Sequence, residues 1–306
     1  MKKNVLIIGA GGVGQVVAHK CAQHNLQLGD IHIASRTIRK CLALIDGIHE
    51  KGVLQNPKGV LKAHTLDAMD TAATRKLIEQ TGAQIVINVG HAFVNMPVLE
   101  ACIQTGAAYI DTAIHEDPGA ICETPPWYAN HEWKRKARCA EHGMTAVLGC
   151  GFDPGVVNAY AALAVQEFFD SVDSIDIIDV NAGSHGRYFA TNFNPEINFR
   201  EFGHQTTYLT GHDELHSLSQ HLDVPTIRFW MGFGEHYINV FNVLRNQGLL
   251  SEKPVRLDDG RAVVPLQLVK AVLPDPASLA PGYVGKTCIG NVVKGIKNGQ
   301  PREIFI

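Results

Sequence analysis

The sequence predicts an α/β protein: an N-terminal doubly wound parallel sheet followed by a smaller α+β domain. Three observations carry that prediction. The opening apolar run Val5–Ile8 passes directly into Gly9-Ala10-Gly11-Gly12-Val13-Gly14. Over residues 1–150, short apolar runs alternate with helix-period segments, the pattern of strands joined by crossover helices. After Gly149 the texture changes, and strand patterns follow one another with less regular helix between them.

Taken in order, Val5–Ile8 is the first strand, and G-x-G-x-x-G follows it. Gly9 permits the tight strand-to-helix turn. Gly11 lets the backbone approach a pyrophosphate, with Gly12 and Val13 completing the cradle, and Gly14 lets the helix pack closely on the sheet. The helix, Val13–His24, turns its free N–H groups and positive dipole end toward the phosphates. This is the Rossmann dinucleotide fingerprint; the plain alternative is a phosphate-free turn of the same shape. Asp30–Ala34 is the second strand, ending at Ser35-Arg36-Thr37 before a helix that starts near Thr37. An NAD site usually has Asp or Glu here to accept from the ribose 2′-OH. This chain has neither. Ser35 and Thr37 can donate to a 2′-phosphate, and Arg36 can pair with it and stack on the adenine, which selects NADP. An exposed loop arginine with no cofactor preference is the alternative.

Leu61–His64 is a third short strand, and Asp67-Ala68 after it is a candidate adenine contact; Asp67 is equally a helix N-cap. Thr71–Thr81 is helical. Gln84–Val89 is a continuous apolar strand of the kind buried on both faces. It ends in Asn88-Val89-Gly90-His91, beside the expected nicotinamide ribose: Asn88, Val89 and Gly90 are expected cofactor contacts, and His91 is a proton carrier or a satisfied loop histidine. Met96–Gly106 is a helix with Gly106 as its C-cap. Tyr109–Thr112 and Thr145–Leu148 are two further strands, with one charged helix, Glu132–His142, between them. Thr112 and His115 lie at a strand end and share the ambiguity of His91. The loop Gly151–Gly155 precedes a helix over Val156–Phe169. Ser174–Asn181 and Thr226–Trp230 are strands of a second sheet. The expected division is 1–150 for the NADP-binding domain and 151–306 for an α+β domain that binds substrate and dimerises. The final Glu303–Ile306 is an apolar strand pattern with no turn or helix after it, so truncation after 306 is expected.

Composition narrows the function classes. The 306 residues are 45% hydrophobic and 19% charged, with a net charge of −3. That balance argues against a nucleic-acid-binding surface. No apolar run approaches the roughly 18–20 residues of a membrane span. Lys2-Lys3 precede an apolar run too short for a signal-peptide core. Seven scattered cysteines without a C-x-x-C pair are those of a reduced, cytoplasmic protein.

Several segments resemble one family. Met96-Pro97-Val98-Leu99-Glu100-Ala101-Cys102, then Gly106 and Tyr109-Ile110-Asp111-Thr112, are similar to the saccharopine dehydrogenase family. Gly149-Cys150-Gly151-Phe152-Asp153-Pro154-Gly155, the run Ser184–Glu196, Ile227-Arg228-Phe229-Trp230-Met231 and Ala271–Pro276 resemble its carboxynorspermidine (carboxyspermidine) dehydrogenase branch. The resemblance covers essentially the whole chain. It implies NADPH-dependent reductive condensation of aspartate β-semialdehyde with a diamine, 1,3-diaminopropane or putrescine, in polyamine synthesis. It also implies a Rossmann domain with an α+β domain that forms a homodimer contact. Two departures stand out: Arg187-Tyr188 occupy a place where a His-Pro pair is common in the branch, and the family continues for roughly another strand and helix.

Such a reaction needs a proton carrier, a carboxylate for the amine and a cation for the semialdehyde carboxylate. Asp153 lies in a tight loop after a strand end of the first sheet, where α/β sheets bind ligands; a turn-forming Asp-Pro-Gly is the alternative. The resemblance implies that the loop holding His185, Arg187, Asn192, Asn194 and Glu196 contacts substrate. Arg187 or Arg200 is assigned to the carboxylate, Glu196 to the amine, and His185 is the preferred acid/base, with Asp153 and His91 as the other candidates. His212-Asp213-Glu214-Leu215-His216 comes close to the zinc motif H-E-x-x-H, but Asp213 stands at the glutamate position and no third ligand is evident. No metal is expected there; Glu214 is a further candidate to meet the diamine. Two competing readings remain: an opine- or saccharopine-type dehydrogenase acting on a 2-oxo acid and an amino acid, and a non-catalytic NADP-binding protein.

Overall fold

The apolar runs of the N-terminal half form a six-stranded sheet in the computed structural model of the chain, which describes residues 2–115, 129–183, 206–273 and 285–306. The strands are β1 (Lys3–Ile8), β2 (Leu28–Ser35), β3 (Leu61–Thr65), β4 (Ala83–Asn88), β5 (Ala108–Asp111) and β6 (Ala146–Val147). All neighbours are parallel, in the order β3-β2-β1-β4-β5-β6. The winding reverses between β1 and β4, the switch point at which such sheets bind ligands. Ile8 lies opposite both Ala34 and Asn88, so the ends of β1, β2 and β4 share one edge.

The continuous apolar runs follow from helices on both faces. Val5, Ile7, Ile31 and Ile33 are covered by α1 (Gly12–Gln23) and α2 (Ile38–Glu50) through Ala18, Ala22, Cys41, Leu44 and Ile48. Leu6, Ile8 and Val86 face α3 (Thr71–Thr81) and α4 (Asn95–Thr105) through Leu77, Ile78, Leu99, Cys102 and Ile103. A strand alternating between two buried faces has no polar side to show. α4 ends at Gly106 in a left-handed cap, as expected.

One predicted helix differs. Glu132–His142 divides into α5 (Asn130–Trp133) and α6 (Lys136–Glu141). The Arg135 guanidinium donates to the His131 carbonyl at 2.7 Å, the oxygen that a continuous helix would offer to the Arg135 amide. That amide donates instead to Glu132 O, three residues back, and the helix tightens and breaks.

The chain forms two compact units, Met1–Val156 and Val157–Ile306. The second begins on α7 (Val156–Leu163), which runs on through a π-turn at Ala164–Phe168. Its elements are then β7 (Ser171–Gly183), β8 (Thr207–Thr210), α8 (Asp213–His221), β9 (Thr226–Gly232), α9 (Glu235–Asn246), β10 (Val255–Arg256), β11 (Ala262–Val263), α10 (Pro265–Val272), β12 (Gly285–Lys297) and β13 (Gln300–Phe305). Five of these strands form a mixed sheet, β13-β12-β7-β9-β8, in which only β7 and β9 run parallel. Ile175, Ile177, Phe229 and Val293 pack under α7 and α8. Ile178, Val180 and Val292 lie on the opposite face with Trp230 and Cys288. Strand β12 has no clean alternation, with glycines and lysines interrupting it, and is not expected from sequence; pairing along nearly all of β7 makes it a strand. No helix among the described residues is long and apolar enough to cross a membrane.

Candidate active site

The glycine loop has the geometry that its spacing implies. Gly9 adopts φ +116°, and a Cβ there would stand 2.7 Å from the Val89 carbonyl oxygen. At Gly14 a Cβ would lie 2.2 Å from the Gly9 carbonyl oxygen, so the start of α1 rests directly on the turn. At Gly11 and Gly12 nothing lies within 4 Å of a Cβ. The open space is thus over the two residues that a pyrophosphate would approach. Gly11 caps α1 without a side chain, which leaves the Gly12, Val13 and Gly14 amides available to an anion.

A cavity of about 410 Å³ opens beside this loop, lined by Gly9, Ser35, Arg36, Asp67, Ala68, Gly90 and His91, with Leu66, Met69, Phe93 and Val94. It gathers expected residues from four strand ends. Within it, Ser35 is partly committed: its hydroxyl donates to Thr37 O at 2.9 Å and accepts from the Thr37 amide. Arg36 is exposed. Thr37 caps α2 without a side-chain hydrogen bond, and the first turn of that helix has no acidic residue but carries Arg39 and Lys40. Cations at a positive helix end are unfavourable by themselves, and a phosphate relieves the conflict. The residues therefore fit NADP. A second cavity of about 460 Å³ between α1 and α2 shares Gly11 and Gly12 with Lys40 and Lys51. Lys40 was legible as the cation one turn beyond Arg36, yet sequence reasoning missed it, together with the apolar wall of Phe93 and Val94.

Asp67 is not the cap of α3. Its carboxylate accepts from the Met69 amide at 3.1 Å, and Asp70 caps the helix by accepting from Ala73 at 2.9 Å. Asn88 turns inward: its amide donates to Asn95 Oδ1 at 2.8 Å, and its oxygen accepts from the Gly90 amide at 3.2 Å. Its side chain shapes the turn into Gly90, while Val89 holds the edge by donating to Ile8 O. His91 Nδ1 accepts from the Phe93 amide at 3.4 Å and its ring lies 4.0 Å from the Phe93 ring. That arrangement puts the neutral ring's proton on Nε2.

Asp153 lies half-buried in a loop closed by Gly151 N donating to Pro154 O and Val156 N donating to Gly151 O. A Cβ on Gly151 would be 3.2 Å from the Thr112 carbonyl, so Thr112 meets this loop through its backbone. Buried Asp111, which sequence reasoning passed over, grips the same loop: its carboxylate accepts from the Gly149 amide at 2.7 Å. Its sequence signals are its place in the family-like segment Tyr109–Thr112 and a carboxylate closing an apolar strand. His185, Arg187, Asn192, Asn194, Glu196 and Arg200 lie outside the described residues.

In the second unit, Glu214 is fully buried, takes a hydrogen bond from His212 Nδ1, and His212 stacks on Phe229 at 4.2 Å. The near-zinc motif is thus a His–Glu pair seated on the sheet. Among the described residues no three His, Cys, Asp or Glu side chains are grouped to hold a metal.

Residues 5–147 match the saccharopine dehydrogenase NADP-binding domain, and residues 184–303 match the saccharopine dehydrogenase C-terminal domain. A carboxynorspermidine synthase of Vibrio alginolyticus is 44% identical over 331 aligned residues, covering 99% of this chain and 80% of that protein. A carboxyaminopropylagmatine dehydrogenase of Synechocystis is 40% identical with the same coverage. The apo saccharopine dehydrogenase (L-Glu forming) of Saccharomyces cerevisiae shares the fold at 13% identity, with a TM-score of 0.62 over 98% of this chain and 84% of that one. Matches of this extent, in both units, mean that the chain belongs to the saccharopine dehydrogenase family and is an NADP-dependent oxidoreductase.

Proposed function

We propose that the protein condenses L-aspartate β-semialdehyde reductively with a diamine, 1,3-diaminopropane or putrescine, in polyamine biosynthesis. The observation that carries this reading is that the match to carboxynorspermidine synthase extends over 99% of the chain rather than over the nucleotide domain alone. The amine nitrogen attacks the aldehyde carbon, water leaves, and the resulting C=N bond is reduced at carbon while nitrogen gains a proton. NADPH supplies the hydride. The Gly9–Gly14 loop orients the cofactor's phosphates and Arg36 pairs with its 2′-phosphate. His91, on the cavity wall, and Asp153, in its loop, are the described candidates for carrying protons.

The test is NADPH oxidation by aspartate semialdehyde with 1,3-diaminopropane, putrescine or agmatine, the last because one relative is named for an agmatine product. Oxidation that requires both aldehyde and amine is expected. Turnover only with a 2-oxo acid and an amino acid would make the protein an opine-type dehydrogenase instead. In the same preparation, Arg36→Ala should weaken NADPH binding by about 10–100-fold, the equivalent of roughly 1.5–3 kcal/mol for charge-assisted hydrogen bonds. NADH binding should change little; equal losses would remove Arg36 from the 2′-phosphate.

The chain also pairs with a second copy in this reading. Helices α9 and α10 bury no residue within the chain, and they leave Tyr237, Val240, Val243, Leu268 and Val272 exposed. An apolar surface of that kind is usually covered by a partner. A solution mass near twice 33.3 kDa is expected, falling toward one copy in Val243→Glu; a monomeric parent protein would refute the pairing.

A further inference from the structure

The cavity of about 460 Å³ between α1 and α2 extends further than NADP accounts for. Its upper end is the phosphate cradle, where Gly11 and Gly12 meet Lys40. Its lower end holds His19, Gly47 and Lys51. Lys40 lies in the first turn of α2 and Lys51 is its C-cap, about 16 Å apart along a helix. In a parallel βαβ sheet the helices run back from the carboxyl edge of the strands, and a dinucleotide stays at that edge. The pyrophosphate and the 2′-phosphate therefore account for Gly11, Gly12 and Lys40. They leave His19, Gly47 and Lys51 without a part.

Each of these three suits an anion better than it suits a plain helix surface. Gly47 lies within α2 and has no positive φ, and a Cβ there would meet nothing within 4 Å. Neither backbone conformation nor packing calls for glycine, which weakens a helix relative to alanine. What its missing side chain keeps open is the groove. His19 Nδ1 donates to the Gln15 carbonyl at 2.8 Å, so the neutral ring has no proton on Nε2. That nitrogen is buried without a hydrogen-bond partner. An anion answers it, because its oxygen accepts from the ring once Nε2 is protonated. Lys40 and Lys51 supply cations at the two ends. No carboxylate lines the groove; Asp46 and Glu50, the acids of α2, are not among its walls. Among the described residues neither lysine stands in an ion pair.

We propose that this groove is a second binding site, for a small molecule carrying an oligophosphate chain. The chain lies along the groove from Lys51 past His19 to the Gly12 amide and Lys40. Its upper end overlaps the place of the cofactor's phosphates, so the two ligands exclude one another, each weakening the other by the same factor. Gly47 is the residue that keeps the passage between the two ends open. Binding here needs no substrate, so it is measured apart from the reaction.

Calorimetric titration of the cofactor-free protein with inorganic triphosphate should show a site that saturating NADPH weakens by about tenfold or more. Lys51→Ala and His19→Ala should each weaken triphosphate by about fivefold or more and leave NADPH binding nearly unchanged. Gly47→Leu should abolish triphosphate binding and keep NADPH binding. It should also hold or raise the melting temperature of the apoprotein, because leucine favours the helix and enters open space. Arg36→Ala should do the reverse, weakening NADPH and sparing triphosphate, since Arg36 is not a wall of this groove. ATP titrated beside triphosphate separates the sources of the phosphate chain: tighter binding of ATP identifies a nucleotide, equal or weaker binding a bare chain. Triphosphate binding that is lost in Arg36→Ala but kept in Gly47→Leu and Lys51→Ala would overturn the site, because the anion then merely fills the place of the cofactor. A parent protein that binds no triphosphate, or binds it equally well beside NADPH, would overturn it too.

Discussion

Gly14→Ala is expected to weaken NADPH binding by at least tenfold and to destabilise the apoprotein, whereas Gly11→Ala should weaken binding with no loss of apoprotein stability. The difference lies in what a methyl group would meet. At Gly14 it would stand 2.2 Å from Gly9 O and 2.8 Å from Gly9 C, both backbone atoms that cannot rotate aside. The turn cannot open to make room, because Gly9 is itself held at φ +116° against the Val89 carbonyl. Helix α1 must therefore lift from β1. Overpacking of this kind costs about 1–3 kcal/mol, more than the roughly 1 kcal/mol that alanine returns in helix propensity. At Gly11 the backbone is extended, φ −84° and ψ −162°, which alanine adopts freely. A methyl group there meets nothing within 4 Å, so only a ligand occupying that space can sense it. Thermal melts with and without NADPH, together with binding titrations, measure both effects. If Gly11→Ala binds NADPH as the parent does, the pyrophosphate does not approach Gly11.

The two glycines also show what a sequence reveals. The turn at Gly9 and the contact at Gly14 depend on local backbone sterics, which are the same wherever the motif occurs, so spacing alone was enough. Residues at the ends of buried strands were legible as a group for the same reason: parallel strands end at one edge. What the individual side chains do there was not. Asn88 reads as a ribose contact because of its place at a strand end, but its amide is consumed by Asn95, seven residues later. Asp67 reads equally as an adenine contact or a helix cap, and the cap is Asp70. Asp111 accepts from the Gly149 amide, 38 residues later, and that contact arises only when the Gly149–Gly155 loop returns to the end of β5. In the second unit Ser174–Asn181 was visible from its apolar content, and β12 was not, since its strand character comes from its partner β7.

Arg228→Ala in the second unit should cost about 3–5 kcal/mol, and Asp176→Asn distinctly less, although both break the same interaction. Asp176 is fully buried on β7 and accepts from Arg228 Nε at 2.6 Å, Arg228 Nη2 at 2.8 Å and Trp230 Nε1 at 2.8 Å. Parallel pairing sets Asp176 opposite Arg228, so both donors come from one neighbouring strand. Removing the arginine leaves a buried carboxylate with one neutral donor, the costly case for a broken ion pair. Removing the carboxylate charge leaves a guanidinium whose side chain is 41% exposed, and water can take over much of its solvation. Bidentate geometry and the fixed Trp230 donor make this pair worth more than a surface salt bridge. At about 2–4 °C per kcal/mol for a unit of this size, Arg228→Ala should lower the melting temperature by roughly 6–20 °C. The double variant Asp176→Leu with Arg228→Met removes both charges and should recover most of the loss. If the arginine and aspartate variants melt together, the cost is the lost contact itself; if the double variant is worse than Arg228→Ala, the pair stabilises the sheet outright and the stranded charge is not the cause.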